Sequence, residues 1–246
     1  MPADAALPID EETKARLEGV SVATLTTQLF KRGFSNLFLV GVGPLNPATA
    51  RFVGQAFTLR YIPAREDLDR LEAFQDPDHP QRKAIETVPP GQVLVMDCRG
   101  DTRAACGGDI LITRLMTRGV AALVTDGGLR DTGEISKLDI PVYCAGPASP
   151  PNLVIHHAVE DLNAPIGCAG VPVFPGDVLV GDVEGVVVIP RHLAEEVAAD
   201  AAAQERMERF IARKVARGAP LRGTYPPNEE TVREYEAWLE AGEPED

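Results

Sequence analysis

The chain is short of positive charge, histidine, lysine and long apolar runs, and each shortage closes off a class of function. Lys plus Arg number 24 against 37 Asp plus Glu, a formal charge of −13. Phosphate contacts need a basic face, so no direct nucleic-acid partner is expected. No apolar run approaches the roughly 18 residues of a bilayer-spanning helix, and Met1-Pro2-Ala3-Asp4 lacks the basic-then-apolar order of an export signal. A cytoplasmic protein with no membrane partner is expected. The four cysteines, at 98, 106, 144 and 168, show no Cys-x-x-Cys spacing and read as reduced, structural thiols. Cys106 alone adjoins a helix start, which would lower its pKa. Of the four histidines only His156-His157 are paired, and neighbours on a helix do not share a face, so a two-histidine metal site is not indicated. Lysine stands only at 14, 31, 83, 137 and 214. Schiff-base chemistry would need one with a depressed pKa, and Lys137 sits in Glu134-Ile135-Ser136-Lys137-Leu138, which reads as a short solvated helix. Ser21, Ser35, Ser136 and Ser149 stand in no nucleophile-elbow context, which argues against a hydrolase triad.

What is present is a pair of glycine-flanked turns. Ala105-Cys106-Gly107-Gly108-Asp109-Ile110-Leu111 leads into a helix expected over 109–118, with Ile110, Leu111, Leu115 and Met116 on one face and Gly119 as its stop. The apolar run Val120-Ala121-Ala122-Leu123-Val124-Thr125 reads as a strand buried on both faces, ended by Asp126-Gly127-Gly128 and followed by Leu129-Arg130-Asp131. The carboxyl end of a buried strand is where open α/β sheets build their sites. The first helical turn offers unpaired N–H groups and the positive end of the helix dipole, so a substrate carboxylate is expected over residues 108–111. Two carboxylates and a guanidinium at these turns suit a divalent metal and a small anion. Each also has a plainer role open to it: Asp109 as a helix cap, Asp126 as a turn former, and Arg130 with Asp131 as a surface ion pair worth about 0–1 kcal/mol.

In order along the chain, Gly-Gly-Asp-Ile-Leu at 107–111, the segment 118–131, Pro141-Val142, and Val173-Phe174-Pro175-Gly176-Asp177-Val178-Leu179-Val180-Gly181-Asp182 leading into Gly185-Val186-Val187-Val188-Ile189-Pro190 resemble the family of RraA-like proteins and 4-hydroxy-4-methyl-2-oxoglutarate aldolases. The resemblance runs over residues 20–215. It implies an α/β fold of the swivelling β/β/α type, a sandwich-like or barrel-like core of β-sheets flanked by helices. It also implies a class II aldolase that cleaves a 4-hydroxy-2-oxo acid to pyruvate and a second carbonyl compound, with a related capacity to decarboxylate oxaloacetate. By the same resemblance Asp131 matches the carboxylate that holds the divalent metal, Arg130 the arginine that binds the 2-oxo acid, and Asp109 the acid that orients a water for proton transfer. The amides around Gly108, Ile110 and Leu111 match the loop that holds the carboxylate. Mg²⁺ suits a site with one protein carboxylate, and Mn²⁺ or Co²⁺ would substitute in an oxygen-rich shell. The implied partners are a small 2-oxo acid and copies of the chain itself, as a homotrimer or dimer of trimers with a glutamate reaching in from a neighbour; Glu205 and Glu208 both qualify. The family also includes members that bind and inhibit an endoribonuclease, so an acidic regulator docking on a basic partner is the second reading. The substrate stays open between acids of aromatic-ring degradation and 2-keto-3-deoxy sugar acids.

At 246 residues the chain is long enough for a full core, and it divides into a catalytic domain at 1–218 and an extension at 219–246. Helices are expected at 11–17 and from Ser21, strands at 51–61 and 91–97, at 141–145, around 171–173 and over 178–189, and a long helix over 191–217 closed by Gly218. The polar segment 65–87, which includes His79, reads as surface loop with short helices, either an insertion on the rim or a cover over the site. Asp177 and Asp182, each beside a glycine, read as turn residues rather than metal ligands. Residues 222–228 read as an extended arm and 229–239 as a terminal helix whose Tyr235 and Trp238 cover either their own subunit or a neighbour.

Overall fold

A computed structural model describes residues 7–244, so the Met1–Asp4 stretch lies outside the described residues. In chain order the elements are α1 (Glu11–Glu18), α2 (Val22–Lys31), β1 (Gly43–Pro44), β2 (Phe52–Pro63), α3 (Pro80–Thr87), β3 (Val93–Asp97), α4 (Asp109–Thr117), β4 (Ala122–Thr125), β5 (Gly128–Leu129), α5 (Thr132–Ile135), β6 (Val142–Cys144), β7 (Gly146–Pro147), β8 (His156–Ala158), β9 (Ile166–Cys168), β10 (Val171–Val173), β11 (Val178–Asp182), β12 (Gly185–Ile189), α6 (Ala194–Ala216) and α7 (Glu229–Glu240). The first two helices begin where a side-chain oxygen meets an N–H with no intrahelical partner. Asp10 accepts from Thr13 (2.6 Å), and the Ser21 hydroxyl accepts from Thr24 (3.1 Å).

One large sheet runs β1-β6-β4-β3-β2-β11-β12, with β8 on the far end of β2. The long strand β2 is its spine: its start pairs antiparallel with β11, its middle parallel with β3, and its end antiparallel with β8. The two edges nearly meet. Leu39 N–H donates to Val186 O (2.9 Å) and Val188 N–H to Leu37 O (2.8 Å), after which the chain runs on into β1 against β6. The result is a nearly closed, barrel-like sheet flanked by helices, an α/β fold as expected. The parallel strands carry unbroken apolar runs because both of their faces are covered. Val93, Val95, Ala122 and Val124 enter one core with α1, α2 and α6, while Leu94, Met96 and Leu123 enter a second with α3 and α4.

Several expectations are refined. His156-His157 lie on strand β8, where neighbours point to opposite faces, and His156 is fully buried while His157 pairs with Asp69 (2.8 Å). Gly181 and Asp182 belong to strand β11, and the hairpin turn falls after them. Asp182 accepts from Glu184 N–H (2.9 Å) and from Val22 N–H (2.8 Å), so it serves the turn and the start of α2 together. Asp177 likewise accepts from Phe174 and Arg191 N–H groups. Residues 222–228 fold into turns rather than an arm, with Tyr225 N–H on Leu221 O (2.8 Å) and Asn228 N–H on Gly223 O (2.9 Å). The aromatics of α7 cover their own chain: Tyr235 and Trp238 lie 5.7 and 5.6 Å from Phe210 of α6.

Candidate active site

Strand β4 delivers the site. Beyond it, Asp126 turns the chain, β5 pairs with β7, and Arg130-Asp131 follow at once. The Gly107-Gly108 segment is held alongside by Cys106 N–H on Gly128 O (2.8 Å) and Arg130 N–H on Gly107 O (3.1 Å). The fit is close. A Cβ on Gly108 would stand 2.8 Å from Asp131 Oδ2 and 3.0 Å from Arg130 Nε, so only glycine lets the start of α4 approach both side chains. Asp131 adopts a left-handed backbone (φ 56°, ψ 31°), a conformation Asp tolerates better than most residues. Although it stands at the start of α5, its carboxylate makes no capping bond there. It pairs instead with Arg130 Nε at 3.3 Å, with the two side chains 41% and 52% exposed. A pair so open to water contributes about 0–1 kcal/mol, which is too little to explain the arrangement as a stabilising device.

Gly108 is the N-cap of α4 and Asp109 its first residue, so Asp109 is not the cap. Its carboxylate instead accepts the neighbouring Ile110 N–H (2.8 Å), while Leu111 N–H donates to Gly108 O (3.1 Å). An incoming carboxylate would therefore compete with Asp109 for the Ile110 amide. Asp126 is more than a turn former. Buried to 3% exposure, it accepts from Cys98 (2.6 Å), Gly100 (2.9 Å) and Ala169 (3.0 Å), tying β3, β4 and the β9–β10 turn together. Burial pushes its pKa above the usual carboxylate range, and the nearby Asp97 adds to the rise, against the pull of the three amides.

Gly107, Gly108, Asp109, Ile110, Leu111 and Arg130 line one cleft of about 390 Å³. Its other wall is the segment 65–87, which lends Leu71, Phe74, Gln81 and Arg82 and so faces the site rather than the rim alone. Asn152 completes the wall, brought there by Ala105 N–H on Pro150 O (2.8 Å). Sequence reading missed Arg82 and Asn152. The only signal for the first was the polar insertion itself; the second, after Pro150-Pro151, read as plain loop. A larger cavity, about 450 Å³, lies at residues 33–37 and 172–192, where the buried acid, Asp177, is already bonded to two amides.

Glu205 and Glu208 are engaged within their own chain. Glu205 accepts from Ser21 N–H and from the Ser21 and Thr24 hydroxyls; burial pushes its pKa up, but these bonds prevail and hold it below the usual value. Glu208 accepts from Gln204 (2.9 Å), and Lys137, well exposed, pairs with Glu134 (2.7 Å). All four cysteines are free and buried, at 0, 1, 5 and 0% exposure in sequence order. The Cys106 thiol donates to Gly128 O (3.2 Å), and burial raises the Cys98, Cys144 and Cys168 thiols. In native protein, Ellman's reagent is expected to titrate none of the four over minutes, and all four in guanidinium; a fast native thiol would contradict this packing.

The family profile described as RraA-like, Aldolase/RraA, matches residues 22–188. The chain belongs to the RraA-like family. Within it, the chain is 38% identical over 115 residues to a Halalkalibacterium halodurans protein provisionally named 4-hydroxy-4-methyl-2-oxoglutarate aldolase, a match covering 47% of this chain and 54% of that one. The chain spans between 28% and 58% of the length of three curated relatives that it matches. Among solved RraA-fold structures, an uncharacterized Pseudomonas syringae protein aligns with TM-score 0.76 and 27% identity, over 89% of this chain and 99% of that one. Streptomyces coelicolor RraAS2, described as an unusual member of the RNase ES inhibitor RraA family, aligns with TM-score 0.72 and 30% identity, over 83% and 97%. No helix among the described residues is long and apolar enough to cross a membrane.

Proposed function

We propose that this RraA-like chain is a divalent-metal-dependent class II aldolase that cleaves a 4-hydroxy-2-oxo acid to pyruvate and a second carbonyl compound, and that it decarboxylates oxaloacetate at the same site. The observation that carries the reading is the corner where Gly108 presses against both Arg130, which lines the cleft, and Asp131 next to it. Among the described residues no cluster of three or more His, Cys, Asp or Glu could hold a metal by itself. A hard cation can be held by one carboxylate, with waters and substrate oxygens completing its shell, and Mg²⁺ binds in this manner. Asp131, uncommitted to a cap, is the residue that would hold it. Such a cation, when bound, polarises the 2-oxo group and stabilises an enolate.

The chain's own residues do the rest. Arg130 binds the 2-oxo acid and stabilises charge on the developing enolate oxygen. Asp109, freed from Ile110 N–H, orients a water for proton transfer at the C4 hydroxyl, and the released amide joins the Gly108 amide at the positive end of α4 to hold the carboxylate, with Leu111 N–H joining them on leaving Gly108 O. Loss of CO₂ from oxaloacetate leads to the same enolate. A homotrimer or dimer of trimers belongs to this reading and is checked by light scattering.

Pyruvate release from oxaloacetate and 4-hydroxy-4-methyl-2-oxoglutarate is the test. Release is expected with Mg²⁺, to be lost with chelator, and to fall about 10²–10³-fold in kcat/KM in Arg130→Ala and in Asp131→Ala. No release above the metal-only background, from these or from a 2-keto-3-deoxy acid, overturns the aldolase and leaves an acidic regulator that docks on a ribonuclease.

A further inference from the structure

Segment 65–87 also reaches the site loop directly, through Gln81 of α3. This side chain is 3% exposed, and its Nε2 donates to Cys106 O (2.6 Å). A carbonyl can only accept, so the amide nitrogen rather than its oxygen must face it. Three successive peptides lead into α4, and they are not held alike. The first is fixed by Cys106 N–H on Gly128 O (2.8 Å) and the third by Gly107 O accepting from Arg130 N–H (3.1 Å), both bonds made to the stretch that carries Arg130 and Asp131. The middle peptide, between Cys106 and Gly107, makes no bond to that stretch. Among the described residues its carbonyl is held by Gln81 alone, and the N–H groups of Gly107, Gly108 and Asp109 donate to no acceptor. A peptide turns over by opposite rotations about ψ of the residue before it and φ of the residue after it, and a glycine at 107 leaves that φ free. Because the C=O and N–H of a trans peptide point opposite ways, such a flip would withdraw the Gly107 N–H and set a carbonyl oxygen in its place.

We propose that Gln81 is a positioning residue: by holding Cys106 O it keeps the Gly107 N–H, together with the Gly108 amide, as a donor to the carboxylate of the 2-oxo acid. The proposal rests on the aldolase reading for the nature of that anion. Successive unpaired N–H groups form a concave anion site, and a carbonyl oxygen among them repels the anion. The mount is rigid, since Ala84 and Ile85 of α3 share one core with Ile112 and Leu115 of α4, so Gln81 and the start of α4 are fixed to a common body. An apolar side chain at 81 would leave Cys106 O without a donor and the middle peptide free to turn. The insertion thus serves the anion loop as well as walling the cleft.

Two variants test this, with Mg²⁺ present throughout. Gln81→Leu keeps the bulk and removes the donor, whereas Gln81→Glu donates to Cys106 O only while its carboxyl is protonated. For pyruvate release from oxaloacetate, Gln81→Leu is expected to raise KM about tenfold and to leave kcat within about threefold, because the carboxylate is bound alike in substrate and transition state. Burial beside a carbonyl raises the pKa of the introduced carboxyl, so Gln81→Glu is expected to match the native KM at about pH 5 and to approach the leucine variant by about pH 8. If the leucine variant fails to fold, that profile decides alone. Calorimetric titration with pyruvate reads the same loss without turnover, as a Kd about tenfold weaker in Gln81→Leu. KM and Kd within about twofold of native in both variants, or a fall in kcat at constant KM, overturn the positioning role. Gln81-dependent pyruvate binding without release by the native protein upholds that role and overturns the aldolase, and release with KM and Kd unchanged in the variants does the reverse. A native protein that neither binds nor releases pyruvate removes both.

Discussion

Gly108→Ala is expected to lower kcat/KM for pyruvate release about a hundredfold or more while leaving the fold intact, because misplacing reacting groups by about 1 Å costs on that order. The backbone of Gly108 is extended (φ −144°, ψ −179°), so alanine meets no conformational penalty there. The obstacle is contact: the new methyl would stand 2.8 Å from Asp131 Oδ2, 3.0 Å from Arg130 Nε and 3.1 Å from Arg130 Cγ. Both side chains are about half open to water and can swing aside at little cost in stability. Doing so displaces Arg130 from the cleft and Asp131 from its edge, the two groups on which the proposed chemistry depends. Steady-state kinetics with Mg²⁺, paired with thermal denaturation, check this. Activity near that of the native protein would detach the Arg130-Asp131 corner from catalysis, and a melting temperature lowered by many degrees would give Gly108 a structural role instead.

Asp126→Ala is expected to destabilise the fold by about 4 kcal/mol, since it strips a charged acceptor from three amides, one buried and two partly buried, at about 1–3 kcal/mol each, discounted for relaxation and partial exposure. Against a typical stability of about 5–15 kcal/mol this is severe, and a chain of this size loses about 2–4 °C of melting temperature per kcal/mol. The amides of Cys98, Gly100 and Ala169 belong to three segments that meet behind the site, so the loss is cooperative rather than local. Asp126→Asn retains one carbonyl oxygen and is expected to fall between. The pH dependence has a definite sign. Burial, reinforced by Asp97, raises the folded-state pKa of Asp126 above that of the unfolded chain. The native state therefore holds this proton more tightly, and the resulting stabilisation is full below the unfolded-state pKa and lost as pH rises through the folded-state value. Denaturation curves recorded across that window in the native protein and in Asp126→Asn isolate the contribution; an opposite slope would show that the three amide bonds outweigh burial.

Much of the local architecture was legible because it rests on short-range physics. The apolar run 120–125 is buried on both faces as β4, Ser21 caps α2, Gly119 follows the end of α4, and 194–216 form the long helix. The order of motifs from 107 to 190 sufficed to indicate the family. The placements that failed depend on what lies across space. His156-His157 sit not in a helix but in a strand formed against the end of β2, and residues 222–228 turn back on themselves through hydrogen bonds within the segment and to Leu221.

The site divides along the same line. The sequence by itself determined the kind of groups available: a glycine pair before a helix, an arginine and an aspartate after a buried strand, and a net charge of −13, because each of these is a local pattern or a sum over residues. Only the tertiary structure decided that Gly108 is wedged against Asp131 and Arg130, that Asp126 and Glu205 are spent on backbone and hydroxyl donors, and that Arg82 and Asn152 reach the same cleft. Those facts arise where segments tens of residues apart converge, and hydrogen-bond satisfaction and close packing are settled only at that convergence.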